Sequence, residues 1–132
     1  MIRYLLDTNV VSELSRTRPN PGLSRWAVLS SEHAISVVTV DEIRFGLAWN
    51  PNARIERFMD AYFATALILE ITPSIAQRSG SLRGGLRRKG ISRTQSDMLI
   101  AATAQAHNLT LVTRNVRDFD ACGIALLDPF SQ

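Results

Sequence analysis

Five short apolar runs punctuate the chain, helix-patterned segments fill the long gaps between them, and few folds tolerate that alternation. The runs are "IRYLLD" near the start, "HAISVV" (His33–Val38), "ALILEI" (Ala66–Ile71), "LTLVT" (Leu109–Thr113) and "IALLD" (Ile124–Asp128). Between them, Leu23, Trp26, Ala27 and Ser30 share one helical face, as do Ile43, Leu47 and Ala48. Ile55, Phe58, Met59 and Tyr62 mark another helix, and Ile75, Ala76, Ser79, Leu82 and Leu86 the next. Strands alternating with helices predict an α/β fold around a mostly parallel sheet of five strands.

Local punctuation sets the expected boundaries. A short helix from Asn9 closes at Pro19, Asn20, Pro21 and Gly22, Thr39 caps the helix carrying Ile43, and Asn50–Pro51–Asn52 breaks it. Thr72 and Pro73 pair as N-cap and first helical residue; Arg87, Arg88 and Lys89 fill that helix's last turn, with Gly90 just beyond. An alanine-rich helix spans 95–107 with Asn108 as its stop, and Pro129 ends the fifth strand.

At 132 residues the chain has the length of one domain, and such a chain buries roughly two thirds of its unfolded surface without staples. Its single cysteine, Cys122, excludes a disulfide framework and fits a reducing compartment. With no leader-like start and no apolar run long enough to span a bilayer, a soluble, cytoplasmic protein without membrane contact is expected. Of its 15 basic residues only Lys89 is lysine. Arginine forks match phosphate and carboxylate, so the bias fits nucleic acid or an acidic partner, and it fits GC-rich coding equally well.

Topology converts scattered acids into a site. Asp7 ends the first strand, at the edge of the sheet where the strand C-termini lie. The link from Val38 to Thr39 is too short to cross the sheet, so Glu42 starts its helix at that same edge. The helix before the fourth strand ends at Asn108, so it begins at the C-terminal edge, carrying Asp97 there; Asp118 follows the fourth strand. Open α/β sheets bind ligands along this edge, where strand order reverses. Taken singly, each acid has a structural reading: a turn at Asp7, a T-x-x-E capping box from Thr39 to Glu42, a helix-dipole partner in Asp97, a solvated loop acid in Asp118. Those separate readings do not predict convergence, and four gathered carboxylates call for a hard divalent cation such as Mg²⁺ or Mn²⁺. One cysteine and two histidines, His33 and His107, cannot make a usual zinc site.

"LLDTNVVSEL", the Glu in "VTVDEIRFGL", "SDMLIAATA" and "LVTRNVRDFD" together resemble the PIN-domain ribonucleases, and most of all the VapC-like toxins of type II toxin–antitoxin systems. The likeness runs from Tyr4 to about Asp128 with all four blocks in order. It implies a three-layer α/β/α domain over residues 1–132 and Mg²⁺-dependent endoribonuclease activity, with Mn²⁺ as substitute. Carried over block by block, Asp7, Glu42, Asp97 and Asp118 become the catalytic acids. Asp7 and Asp97 would be the principal metal ligands, and Glu42 and Asp118 would act through water. Thr8 and Asn9 would orient Asp7, and Thr113 and Asn115 would fix the acids or contact phosphate. Asp41 points about 100° from Glu42 on a helix and gets no metal role. Ser96 stands where relatives often carry a small apolar residue, so a different cap is expected there. The resemblance also implies a homodimer, an antitoxin partner and operator DNA reached only through that antitoxin.

"GSLRGGLRRKG" lacks the phosphate-loop spacing, no strand–Ser–helix elbow exists for a serine hydrolase, and Asn9 stands where an aspartyl-phosphate enzyme needs a second acid. Arg83, Arg87, Arg88, Lys89 and Arg93 form the densest basic stretch, open to reading as an RNA contact or as a solvated helix end. Trp26, Trp49, Phe58, Tyr62 and Phe63 have helical spacing and read mostly as core, with the helices around Trp49 and Phe63 as surfaces for a second copy or the antitoxin. Two functional classes stand: an RNA-cleaving toxin, or a binding module acting with its antitoxin on operator DNA with little or no cleavage.

Overall fold

Leu5 and Leu6 are neighbours in sequence yet start two separate cores, because successive strand residues face opposite sides of a sheet. In the computed structural model, which describes residues 1–30 and 32–131, they lie on β1 (Tyr4–Leu6). The chain continues through α1 (Thr8–Leu14), α2 (Pro21–Leu29), β2 (His33–Ser36), α3 (Val37–Trp49), α4 (Ala53–Thr65) and β3 (Leu67–Leu69). It then runs through α5 (Pro73–Arg88), α6 (Gln95–His107), β4 (Thr110–Val112), a 3₁₀ turn at Val116–Asp118, β5 (Leu126–Leu127) and a last 3₁₀ turn at Pro129–Ser131.

All neighbouring strands are parallel, in the order β3-β2-β1-β4-β5. Register pairs Leu5 with Ala34 and Leu111, and Leu6 with Ile35 and Val112. The first set packs under α5 and α6 with Leu86, Met98, Ala101 and Ala104. The second packs under α1 to α4 with Val10, Val11, Leu23, Ile43, Leu47 and Met59. The result is three layers, α/β/α, and each fully buried leucine or isoleucine contributes about 1.5–3 kcal/mol of transfer free energy.

Strand order moves outward from β1 to β3, then returns to β4 on the other flank of β1. The reversal leaves a crevice at the C-terminal ends of β1 and β4, the usual ligand position in open α/β sheets. Asp7 is pinned there, its N–H donating to the Val112 carbonyl at 2.9 Å.

Several boundaries differ from expectation, each for a local reason. The second strand stops at Ser36 rather than Val38, because the Ser36 hydroxyl accepts the Val38 N–H at 3.0 Å and starts α3 three residues early. Thr39 is therefore buried inside the helix instead of capping it. The first helix starts at Thr8 with Asp7 as its N-cap. The third and fifth strands are short edge strands, each hydrogen-bonded on one side only. The end of α5 matches expectation: Gly90 has φ +81°, with Ile91 N–H bonded to Leu86 O and Gly90 N–H to Arg87 O, the paired bonds of a Schellman cap. Asn108, left-handed at φ 54°, ends α6 by the same pattern. No helix among the described residues is long and apolar enough to cross a membrane.

Trp49 departs from the core reading: it is 83% exposed and stacks on Phe45, itself 58% exposed, at 6.3 Å. Trp26, Phe58, Tyr62 and Phe63 do pack against the second core.

Candidate active site

Asp7 is the most constrained acid in the molecule. Only 5% exposed, its Oδ1 accepts the Thr8 N–H at 2.8 Å, while Oδ2 accepts the Thr113 hydroxyl at 2.8 Å and the Asn9 amide at 3.2 Å. Thr113 extends β4 by one residue, so the strand pairing that aligns β1 with β4 also brings that hydroxyl to Asp7. Thr113 Oγ1 in turn accepts the Asn115 N–H at 3.0 Å, and Asn9 Oδ1 accepts the Arg114 N–H at 3.3 Å. The "TRN" segment is thereby laced to the first helix.

Glu42 reaches the same edge from α3. Its Oε1 accepts the Thr8 hydroxyl at 2.6 Å, and that hydroxyl lies 3.0 Å from the Thr39 hydroxyl. Thr8 has one proton to give, so when it goes to Glu42, Thr39 donates to Thr8. The capping-box reading of Thr39 and Glu42 is thus overturned: both side chains face Thr8 instead of the helix end. Thr8 holds Asp7 through its backbone N–H, and its hydroxyl belongs to Glu42.

Asp97 is the third residue of α6, held by the N-cap Thr94, whose hydroxyl accepts the Asp97 N–H at 3.1 Å. Asp118 closes the 3₁₀ turn after β4; its N–H donates to the Asn115 carbonyl at 3.0 Å and its own carbonyl accepts Arg93 Nε at 2.9 Å.

Electrostatics tie the four together. Burial drives the Asp7 carboxyl from 3.8 up to about 6; Thr113 and the Thr8 N–H oppose the rise, and the charges of Asp97 and Glu42 add to it. Asp97 is raised first by burial; Thr94 opposes this, Asp118 and Glu42 raise it further, and Arg93 lowers it. Carboxylates from four separate segments therefore share one field at one edge of the sheet. Among the described residues no basic group comes within 4.0 Å of any of them.

This donor set suits a hard divalent cation. It is all oxygen and anionic, and among the described residues no basic group pairs with it within 4.0 Å. Among the described residues no three acidic, histidine or cysteine side chains close on one point. That spacing fits an ion held by one or two carboxylates that keeps several waters, as Mg²⁺ does, and does not fit a fully dehydrated cage.

Beside the acids, a cleft of about 570 Å³ opens between α1, α3 and α4, reaching from Thr8, Asn9 and Glu42 past Arg114 to Ile55 and Met59. On the α5 side, Arg83, Arg87 and Arg93 line a smaller hollow, whereas Arg88 and Lys89 do not. Asn115 is exposed, and among the described residues its side chain takes no hydrogen bond, so only its backbone serves the site. Asp41 is exposed as well. Thr39 and Thr94 are the positioning residues the sequence did not single out. For Thr39, the T-x-x-E spacing itself hid the role; for Thr94, the only signal was its place three residues before Asp97.

Comparison with known proteins agrees with this fold. The PIN domain family model matches residues 4–123. Ribonuclease VapC2 of Haemophilus influenzae (strain ATCC 51907 / DSM 11121 / KW20 / Rd) is 31% identical over 122 residues, covering 91% of this chain and 92% of that protein. A toxin–antitoxin complex from Klebsiella pneumoniae superposes with a TM-score of 0.74 at 31% identity, covering 96% of this chain and 97% of that one. VapBC2 from Rickettsia felis, bound to a DNA fragment from its promoter, superposes with a TM-score of 0.81 at 27% identity, covering 96% and 98%. The chain belongs to the PIN-domain family, among relatives of the VapC kind.

Proposed function

We propose that this chain is a divalent-metal-dependent endoribonuclease, the toxin of a toxin–antitoxin pair. The observation that carries the reading is the meeting of Asp7, Glu42, Asp97 and Asp118 at the strand-order reversal, where no basic group among the described residues comes within 4.0 Å and Arg93 acts on Asp97 only from farther off. A ribonuclease of the same family aligned over nearly its whole length supports the reaction class.

Asp7 and Asp97 would hold Mg²⁺, or Mn²⁺ in its place. When bound, the ion supplies charge neutralisation at the phosphoryl and leaving oxygens and a lowered pKa for water. The chain's own residues do the rest. Thr113, Asn9 and the Thr8 N–H fix both Asp7 oxygens. The Thr39–Thr8 hydroxyl pair presents Glu42 in one orientation. Glu42 and Asp118 accept hydrogen bonds from ordered waters, and one of them takes the proton of the attacking water. Attack in line with the leaving oxygen breaks the P–O3′ bond, leaving 5′-phosphate and 3′-hydroxyl ends with no covalent intermediate.

The partner follows from the relatives: a cognate antitoxin masks the toxin, operator DNA is met only through that antitoxin, the toxin self-associates as a homodimer, and the setting is cytoplasmic. The toxin–antitoxin complex from Klebsiella pneumoniae supports the antitoxin partner, and the promoter-bound VapBC2 supports the link to DNA. The rival reading, a DNA-acting binding module with little cleavage, gives the acids only an antitoxin arginine to receive, a task that does not call for Asp7 and Glu42 each being fixed by threonine hydroxyls. Purified chain freed of antitoxin, incubated with RNA and Mg²⁺, tests the proposal: cleavage that EDTA stops and that Asp97→Asn abolishes is expected. Operator binding by the complex with no metal-dependent cleavage at any antitoxin ratio would favour the rival.

A further inference from the structure

Helix α5 carries a feature its own packing does not explain. Gly80, Gly84 and Gly85 interrupt an exposed helix, each costing about 1 kcal/mol relative to alanine. A Cβ added at any of them would meet nothing within 4 Å, so no neighbour in the chain requires the missing side chains. Gly80 and Gly84 form one wall of a hollow of about 250 Å³, completed by Arg83, Arg87, Ser92 and Arg93. Gly85 lies off the hollow.

The three arginines differ in what already engages them. Arg93 is anchored: its Nε and Nη2 donate to the carbonyls of Asp118 and Arg117 at 2.9 and 3.2 Å, its Nη1 to that of Ser92 at 3.1 Å, and Asp120 stands 3.9 Å away. Those bonds lean the hollow against the turn that carries Asp118. Arg83 and Arg87, one turn apart, have no carboxylate within 4.0 Å among the described residues. The helix dipole accounts for Arg87 in the last turn but not for Arg83, which lies more than a turn from the helix end. Arginine side chains lining one hollow beside bare glycine backbone make a site for a tetrahedral oxyanion.

We propose that the hollow of Arg83, Arg87 and Arg93 holds a backbone phosphate of the RNA strand whose neighbouring phosphodiester is cut at the four carboxylates. The identity of the ligand rests on the nuclease reading; the site itself does not. Arg93 joins the two places, since it bonds to the Asp118 carbonyl on one side and lines the hollow on the other. The strand is thereby held by positive charge outside an anionic centre that would otherwise repel it. Gly80 and Gly84 let the phosphate approach the helix backbone.

Fluorescence anisotropy tests this, with the full chain in EDTA and a labelled single-stranded oligoribonucleotide of mixed sequence at several salt concentrations. Arg83→Ala and Arg87→Ala should each weaken binding about 5-fold and flatten the salt slope by about 0.7. Lys89→Ala removes the same charge from the same stretch but off the hollow, and should change affinity less than about 2-fold. Gly84→Ala should weaken binding while leaving the melting temperature equal or higher, which separates the site from folding. With Mg²⁺, the arginine variants should raise KM with kcat nearly unchanged. RNA binding by the unaltered chain that is absent, indifferent to Arg83 and Arg87, or equally sensitive to Lys89 overturns the proposal. So does a loss confined to antitoxin binding, which would assign the hollow to an acidic protein segment. Cleavage with pocket-independent KM would sink this inference and spare the nuclease reading; pocket-dependent RNA binding without cleavage would do the reverse.

Discussion

The Thr8 hydroxyl donates to Glu42 Oε1 across 2.6 Å, although 34 positions separate the two residues. One side chain at the start of α1 thereby sets the orientation of an acid on α3, while its own backbone N–H holds Asp7. Two carboxylates, one at the end of β1 and one on α3, are fixed by a single residue.

Thr8→Val keeps the shape and removes the hydroxyl, so Glu42 loses its donor and the Thr39 hydroxyl loses its partner. Cleavage rate should fall about 10- to 100-fold, the usual cost of removing a group that orients a metal-site carboxylate. Thr8→Ser should retain most of the rate. Single-turnover kinetics at saturating Mg²⁺ read the difference, and a thermal melt should show a loss of only about 1 kcal/mol.

Thr113→Val takes one of three donors from Asp7. Because that hydrogen bond holds the Asp7 carboxyl down, its loss moves the group further up and leaves it less ionised near neutral pH. Metal affinity should drop about 10-fold or more, and the pH at which cleavage reaches half its maximum should move upward. Titrating activity against Mg²⁺ at several pH values checks both.

Stability of the metal-free chain should rise on mild acidification. The folded Asp7 carboxyl sits near 6 against an ordinary 3.8, so across that window the folded state binds more protons than the unfolded one. Stability therefore falls as pH increases through it, and Asp97 shifts in the same direction. From about pH 7.5 to about pH 5, urea unfolding in EDTA should show a gain of about 1.4 kcal/mol from Asp7. Mg²⁺ binds the ionised form, so the stabilisation it adds should grow with pH.

Thr94→Ala should cost about 1 kcal/mol, because the Thr94 hydroxyl caps α6. It also frees the N–H of Asp97, so metal affinity should fall alongside stability. Ser36→Ala removes the equivalent cap from α3 and should lower stability by a similar amount with a smaller effect on metal.

The sheet and the gathering of the acids were legible because both follow from alternation and connection length. Five runs too short to be helices, with links too short to cross the sheet, leave one edge for Asp7, Glu42 and Asp97. The C-terminal stops at Gly90 and Asn108 were legible as well, since left-handed backbone favours those two residue types. Helix starts were harder. "SVVTVDE" offers Ser36 and Thr39 as rival caps, and two β-branched valines favour the strand until the Ser36 hydroxyl is seen holding the Val38 N–H. Trp49 reads from the sequence both as core and as part of a surface helix, because helical spacing shows which residues share a face, not whether a neighbour covers it. Pairings such as Thr8 with Glu42 depend on tertiary register and leave no trace in local pattern.

Titration calorimetry of Mn²⁺ into the purified, antitoxin-free chain, run beside Asp7→Asn and Asp97→Asn, tests the central claim most directly. Saturable uptake by the unaltered protein, lost in both variants while their circular dichroism stays unchanged, is the predicted result. No uptake by the unaltered protein, or equal uptake by all three, would contradict it.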